Sequence, residues 1–366
     1  MLAGEQSSAI DFASAERRGV EYQGPAWEVT KLLDEHRTLG ALVAAGNTRS
    51  QTLMEDKQRQ IDSALSRLSE VDARLGEEMK TTQLLQALLS DWNAIKSRAG
   101  GGDVQAYLSA HNKLVYDIGR ISIKMGNHSN LILDPDIDTY YLMDATLFKL
   151  TRLIDQLSQI QAIGAASLSR ESIDGEYVTP FERAQIATAS TRAEEYLREG
   201  VTNLEYAFEY KPGLRSAMGG SVQVVQSSVA EMLSDANSRL GQTGGVDGWL
   251  ASTDKAIDSA ESLYEVALAN LDQGLAERIG AASTRRTGTL ASMLVLALVA
   301  LGLTLAVVRS IVGPISALRD ASNKVSLGDL TAKVDAGGSD EVSELARSFA
   351  RMQESLKIAA REAGEI

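Results

Sequence analysis

The sequence predicts an all-α protein that has one transmembrane helix. Three observations support this prediction. Apolar residues recur at helical spacing through most of residues 1–287, an uncharged apolar run follows, and two heptad patterns come after it. The chain of 366 residues has only 5 prolines and 5% aromatic residues, a composition that permits long helices.

Composition also argues against several classes of function. Without cysteine, the chain can form neither a disulfide nor a thiolate zinc site. A formal net charge of −13 argues against nucleic acid as a partner. The three histidines are not at metal-ligand spacing, and no catalytic constellation falls on one coherent element. We therefore predict no cofactor, no metal and no enzymatic activity within these residues.

Residues 1–287 read as about six long helices, and the first clear break is predicted at residues 99–103, which contain three glycines. From Trp249 the helical pattern continues into the apolar run. Such a region favours one elongated bundle or two stacked four-helix modules that share long helices. Further breaks, marked by glycine, proline or aspartate, are predicted at residues 126–136, 173–177, 211–213 and 241–245.

A faint internal repeat favours the two-module arrangement. Four residues recur in a later helix at the same spacing: Leu33, Leu39, Gly40 and Ala41 match Leu157, Ile163, Gly164 and Ala165. Four similar positions also arise by chance in alanine-rich helices, so duplication and coincidence both stay open. If the repeat is real, Gln161 is the counterpart of Arg37.

The apolar run, residues 287–308, carries no charge over 22 positions and predicts a transmembrane helix at residues 288–310. As a helix, such a run covers roughly 30 Å, the thickness of the hydrocarbon core. Arg285, Arg286 and Arg309 bracket it and can reach lipid head groups, which a central helix of a soluble bundle does not require.

Two short amphipathic helices are predicted after the span. In the first, Ile315, Leu318 and Val325 fit a coiled-coil seam if Ser322 is counted as the missing step. A turn and a short extended stretch follow, and Asp340 can then cap the second helix. The seam of the second helix consists of Val342, Leu345, Phe349, Met352 and Leu356.

This order of features resembles the HAMP domain of bacterial receptors and sensor kinases, over about residues 311–360. The resemblance rests on Pro314, Gly328-Asp329-Leu330, Asp340-Glu341 and Phe349. It implies a parallel four-helix bundle made by two chains, with connector side chains packed between the helices. We predict this domain at residues 311–363, with signal-relay roles for Pro314, Gly328, Leu330, Val334 and Glu341.

The same resemblance implies an orientation in the bacterial inner membrane. It places residues 309–366 in the cytoplasm and residues 1–287 outside it as a sensor domain. Lysine and arginine near the two ends of the span are balanced and do not decide the orientation. The first 20 residues contain neither a signal-peptide core nor a transmembrane helix. We therefore expect a further transmembrane helix before residue 1, and an output module after residue 366.

Two segments of the predicted sensor, Glu35-His36-Arg37 and residues 134–144, resemble extracytoplasmic helical regions of certain chemoreceptors. These include the nitrate- and nitrite-sensing domain and two-module helical sensors, and the resemblance implies a small-molecule input. An arginine on an inner helix face can bind a carboxylate, nitrate or phosphate through two hydrogen bonds. The predicted ligand-binding residues are His36, Arg37, Tyr140, Tyr141 and Gln161.

Simpler interpretations compete with these roles. Arg37 is equally typical of a solvated or salt-bridged surface residue, and Tyr140 and Tyr141 of core aromatics. The aspartates at 134, 136 and 138 imitate half of a calcium loop, but the glycine and glutamate that such a loop requires are missing. We predict a turn followed by an aspartate N-cap there.

These features predict a homodimeric transmembrane receptor. It would contact membrane lipid and sense either a small molecule or a periplasmic binding protein. If the signal is a small molecule, an anion would suit Arg37. It would signal to downstream proteins through the output module, and a methyl-accepting chemotaxis protein is the leading hypothesis. The alternatives are the input half of a sensor histidine kinase or cyclic-dinucleotide enzyme, and a membrane-tethered scaffold. The sequence after residue 366 would distinguish the chemotaxis receptor from the enzyme-linked sensor.

Overall fold

The computed structural model confirms the all-α prediction. It describes residues 2–97, 102–170, 178–238, 245–334, 337–362 and 364, and no strand occurs among them. The chain forms two compact units, Met1–Ser283 and Thr284–Ile366. The helices are α1 Leu2–Ala44, α2 Gln51–Met79, α3 Thr82–Lys96, α4 Val104–His128, α5 Ile137–Asp144, α6 Thr151–Ser169, α7 Pro180–Tyr210, α8 Gly213–Ser238, α9 Gly245–Val307, α10 Gly313–Ser326 and α11 Glu341–Glu362.

The predicted break at residues 99–103 separates α3 from α4, but it is not the first break, because the chain already turns twice before it. Gly46, with φ of +97°, follows the end of α1 in a conformation that glycine adopts most easily. Lys80 ends α2 in the left-handed region with φ of 57°, where lysine is uncommon. Neither turn contains proline, and both flanks have strong helical periodicity.

The later predicted breaks divide into two sets. Those at residues 126–136 and 211–213 are confirmed, because short connections separate α4 from α5 and α7 from α8. The other two fall wholly or mostly on residues 173–177 and 241–244, which lie outside the described residues.

In the first unit, α1 to α4 pack together as one four-helix group. A second group consists of α5 to α8 and the N-terminal part of α9, and π-helical residues Ala145–Leu150 join α5 to α6. α1 and α4 are antiparallel, since residues early in α1 lie beside residues late in α4. α1 also packs against α6, which joins both groups into one apolar core.

The repeated glycines occupy matching places in the two groups. Gly40 in α1 lies against the ring of Tyr107 in α4, and no Cβ would fit there. Gly164 in α6 lies against Trp249 in α9, where a Cβ would be 2.5 Å from the ring. In each group, the helix that carries the glycine receives an aromatic side chain from the last helix of the group. The duplication itself stays a prediction.

In the second unit, α10 and α11 contact each other directly, and a connector joins them in the chain. Gly328 ends the first helix with φ of +93°, which explains the glycine at this turn. Asp340 caps α11, as predicted, by accepting from the Ser343 amide at 2.8 Å. The buried Gln353 donates to the carbonyl oxygens of Leu330 and Ala332 at 2.9 and 2.8 Å. These bonds hold the connector against α11.

Candidate functional site

Arg37 lies on the inner face of α1 and has no exposed area. Its guanidinium donates to the carboxylates of Asp34 at 2.7 Å and Asp155 at 2.8 Å. It also donates to Asn112 Oδ1 at 2.9 Å and to the backbone carbonyl of Asp155 at 3.1 Å. The surface interpretation is therefore wrong. Direct ligand contact is no better supported, because a ligand would have to displace one of these acceptors.

His36 belongs to a buried aromatic cluster. Its Nδ1 lies 2.7 Å from Nε2 of His111, and its ring meets Trp92 edge-on. Nδ1 of His111 lies 3.3 Å from the Tyr107 carbonyl oxygen, which can only accept. His111 must then be protonated at Nδ1, so its Nε2 accepts from His36. Burial, with Lys57 nearby, lowers the pKa of His36 to about 3, so the pair is neutral at physiological pH.

Gln161 is a buried link between three helices. Its Oε1 accepts from Thr38 in α1 at 3.1 Å. Its Nε2 donates to Thr253 at 2.9 Å and to Asp254 at 2.6 Å, both in α9. The side chain is 5% exposed and its amide atoms are engaged, which indicates a structural role in holding α1, α6 and α9 together.

The two predicted tyrosines lie apart from the other candidates. Tyr141 stacks on Tyr206 of α7 with ring centroids 4.9 Å apart, and Tyr140 is 40% exposed beside it. The helical residues from α5 to α6 are continuous, so Tyr141 lies about 20 Å along the helix from Asp155, the partner of Arg37, at the usual helical rise. The structure therefore places His36, Arg37 and Gln161 on neighbouring parts of α1 and α6, each with different partners, and leaves the tyrosines elsewhere.

The aspartates at 134 and 136 belong to an acidic cluster around Arg278. Arg278 donates to Glu16 at 2.8 Å and to Asp134 at 2.6 Å, and its Nε lies 2.6 Å from Asp136. Burial raises the pKa of Glu16 to about 8, and Asp134 adds to the rise while Arg278 opposes it. Asp134 also accepts from the Asp136 amide, which forms the predicted turn. The side chain of Asp136, at the N-cap position of α5, makes no capping hydrogen bond.

A groove between α4, α6 and α7 was not predicted from the sequence. It contains adjoining cavities of about 340 and 520 Å³ that share Asn112, Gln156, Gln159 and Arg192. Arginines from all three helices line the larger cavity: Arg120, Arg152 and Arg192. Because these arginines are 32 and 40 residues apart in the chain, no local motif announces them.

The predicted relay residues all lie in the second unit. Leu330 and Val334 are half-buried, whereas Pro314 and Glu341 are exposed. Apolar seam residues are also exposed in the single chain: Ile315, Leu345, Met352 and Leu356 are between 43% and 54% exposed. The described residues contain one helical segment that is long and apolar enough to cross a membrane, Gly245–Ser326, with a mean hydropathy of 2.6 in its most apolar window.

Residues 306–358 match the HAMP domain. The match covers the C-terminal part of the apolar helix, α10, the connector and most of α11. No match was found among curated proteins or solved structures. The HAMP domain indicates a signal-transducing receptor, and with the apolar helix it indicates a membrane-anchored protein.

Proposed function

We propose that this chain is the sensory and transmembrane part of a bacterial chemotaxis receptor. The first unit would bind a small molecule outside the cytoplasm, and the HAMP domain would pass the signal to a cytoplasmic output module. The observation that carries this proposal is the HAMP match, which begins at the C-terminal end of the uncharged apolar run.

A homodimer would suit this function. The apolar seam side chains of α10 and α11 are partly exposed in one chain, and packing against a second copy would remove them from water. Ligand binding would favour one of two packings of the dimer, and a small displacement along α9 would shift the HAMP bundle between two states.

Cysteine labelling can test the orientation, because the chain has no native cysteine. Leu53 in α2 is 57% exposed and Leu327 after α10 is 88% exposed, so both accept a substitution without loss of core packing. In cells that produce the native protein with Leu53→Cys, a membrane-impermeant maleimide should label the intact cell. With Leu327→Cys it should label only after permeabilisation. Labelling of Leu327→Cys in intact cells would contradict the proposed orientation.

The output can be tested separately from the orientation. A chemotaxis receptor should carry long glutamine- and glutamate-rich heptads after the HAMP domain and undergo methylation in vivo. A histidine-bearing dimerisation helix with an ATP-binding domain would instead show the alternative, a sensor kinase. Either result would leave the proposed transmembrane signalling unchanged.

A further inference from the structure

The groove between α4, α6 and α7 has three arginines that suit an anion-binding site. Arg120, Arg152 and Arg192 line its larger cavity, and Asp155 is the acidic residue that lines it with them. The chain has a net charge of −13, so three guanidinium groups around one cavity make the local charge very different from that of the chain as a whole. Their fields add within the concave surface and favour a negatively charged occupant.

Asp155 leaves this positive charge largely uncompensated. Its Oδ1 accepts from the buried Arg37 at 2.8 Å. Its Oδ2 accepts from Gln156 and Gln159 at 3.1 and 2.9 Å. The Asp155 carboxylate is thus committed to groups on the floor of the groove and is not paired with any of the three lining arginines.

The lining arginines are only weakly engaged. Arg120 reaches Asp117 at 3.3 Å, and Arg152 reaches the Tyr196 hydroxyl at 3.5 Å. Within the described residues, Arg192 makes no ion pair or hydrogen bond, although it lines both cavities. Planar guanidinium donors that are not committed to protein acceptors suit carboxylate oxygens.

Gln156 supplies an independent sign of a ligand. It lines both cavities and is 6% exposed, and its Oε1 has no hydrogen-bond partner among the described residues. A buried amide oxygen without a donor is costly, so a ligand donor in the groove would satisfy it if the Gln156 side chain turned toward the groove. The arginines attract ligands with carboxylate groups, and the Gln156 oxygen favours those ligands that also carry a hydroxyl or amino group.

We infer that this groove binds a small polycarboxylate that carries a hydrogen-bond donor, with Arg152 and Arg192 on its carboxylates and Gln156 on the donor. That the groove is where the receptor receives its ligand rests on the proposed function. The cavities, about 340 and 520 Å³, are large enough for an anion of this size.

Citrate and tricarballylate form a matched pair of probes, because tricarballylate lacks only the hydroxyl. Isothermal titration of the full chain in detergent should show citrate binding, and tricarballylate should bind about 5- to 10-fold more weakly, the value of one hydrogen bond. Gln156→Leu should abolish the difference in affinity between citrate and tricarballylate, while the loss of its bond to Asp155 affects both probes equally. Arg192→Gln should weaken both probes about tenfold or more.

Arg198→Gln is the matched control. Arg198 is also an exposed arginine of α7, but it lines a separate groove toward α8, so citrate affinity should stay within about twofold of wild type. Because Arg192 is exposed, Arg192→Gln should fold normally even if Gln156→Leu does not.

Three results would overturn the assignment. These are no citrate binding at millimolar concentration, an unchanged affinity in Arg192→Gln, or sulfate binding as tightly as citrate. Failure of citrate to bind while Leu53→Cys and Leu327→Cys label as expected would reject this site alone. Reversed labelling would reject the proposed receptor orientation and leave the binding result standing.

Discussion

Replacing Arg37 by methionine tests how the buried charges stabilise the first unit. Methionine fills much of the space of the aliphatic stem but removes every hydrogen bond of the guanidinium. Asp34 is 2% exposed, and its Oδ2 has no partner among the described residues even with Arg37 in place. The substitution therefore leaves a buried carboxylate without its counter-charge. Asp155, whose side chain is 22% exposed, can recover hydration.

Removing one partner of a buried ion pair typically costs about 3 to 5 kcal/mol. For a unit of this size, each kcal/mol shifts the melting temperature by about 2 to 4 °C, so Arg37→Met should lower it by about 6 to 20 °C near pH 8. Burial already raises the pKa of Asp34, and Arg37 opposes that rise. Without Arg37 the pKa rises further. As the pH falls through it, Asp34 becomes neutral and the loss should shrink.

The measurement is thermal unfolding of the full chain, followed by circular dichroism at about pH 5 and pH 8. The double variant Asp34→Asn, Arg37→Met is the control, because it removes the uncompensated charge and should recover most of the stability at the higher pH. An equal loss at both pH values would refute the reasoning. So would a shift in the melting temperature below about 2 °C, since it would mean that Asp34 stays hydrated.

Three further predictions concern other parts of the chain. Gly164→Ala should destabilise the fold by about 1 to 3 kcal/mol because its Cβ would meet Trp249. Gly220→Ala, which has open space on α8, should stabilise it by about 0.5 to 1 kcal/mol. Chemical unfolding measures both free energies, and equal effects would contradict the packing at Gly164. Glu16 binds a proton more tightly when folded, so its contribution is fully present below about pH 4.5 and is lost as the pH rises through about 8. Glu16→Gln should flatten that part of the pH–stability curve, and an unchanged curve would count against the raised pKa. Single cysteines along residues 342–356 should crosslink between chains with a period of about 3.5, and a flat profile would argue against the parallel dimer.

Local signals explain what the sequence could predict of the fold. Heptad and helical periodicity, an uncharged run, and turns rich in glycine, proline or aspartate each act within a few residues, so the all-α class and the HAMP domain could be recognised. The turn at Lys80 was missed because a lysine takes the left-handed conformation there without a glycine or proline to mark it.

The candidate site depends on contacts between distant residues and was predicted less well. Arg37 could be placed on an inner helix face, but its partners Asn112 and Asp155 are 75 and 118 residues away in the chain. Periodicity identifies which face of a helix is buried and does not identify what lies opposite it. For the same reason, the groove arginines looked like ordinary surface residues on three separate helices.

The buried charges also account for the register between the two four-helix groups. An apolar interface between α1 and α6 would tolerate a shift by one helical turn, about 5.4 Å, because leucine, isoleucine and alanine can replace one another as neighbours. Arg37 does not tolerate it, since a shift of α6 by that distance breaks its bonds to the side chain and the backbone carbonyl of Asp155. Asn112 and Asp155, both partners of Arg37, line the groove between α4, α6 and α7. The ion-pair cluster thus fixes the helices that shape the groove, and an occupant of the groove would lie one side chain away from the contact between α1 and α6.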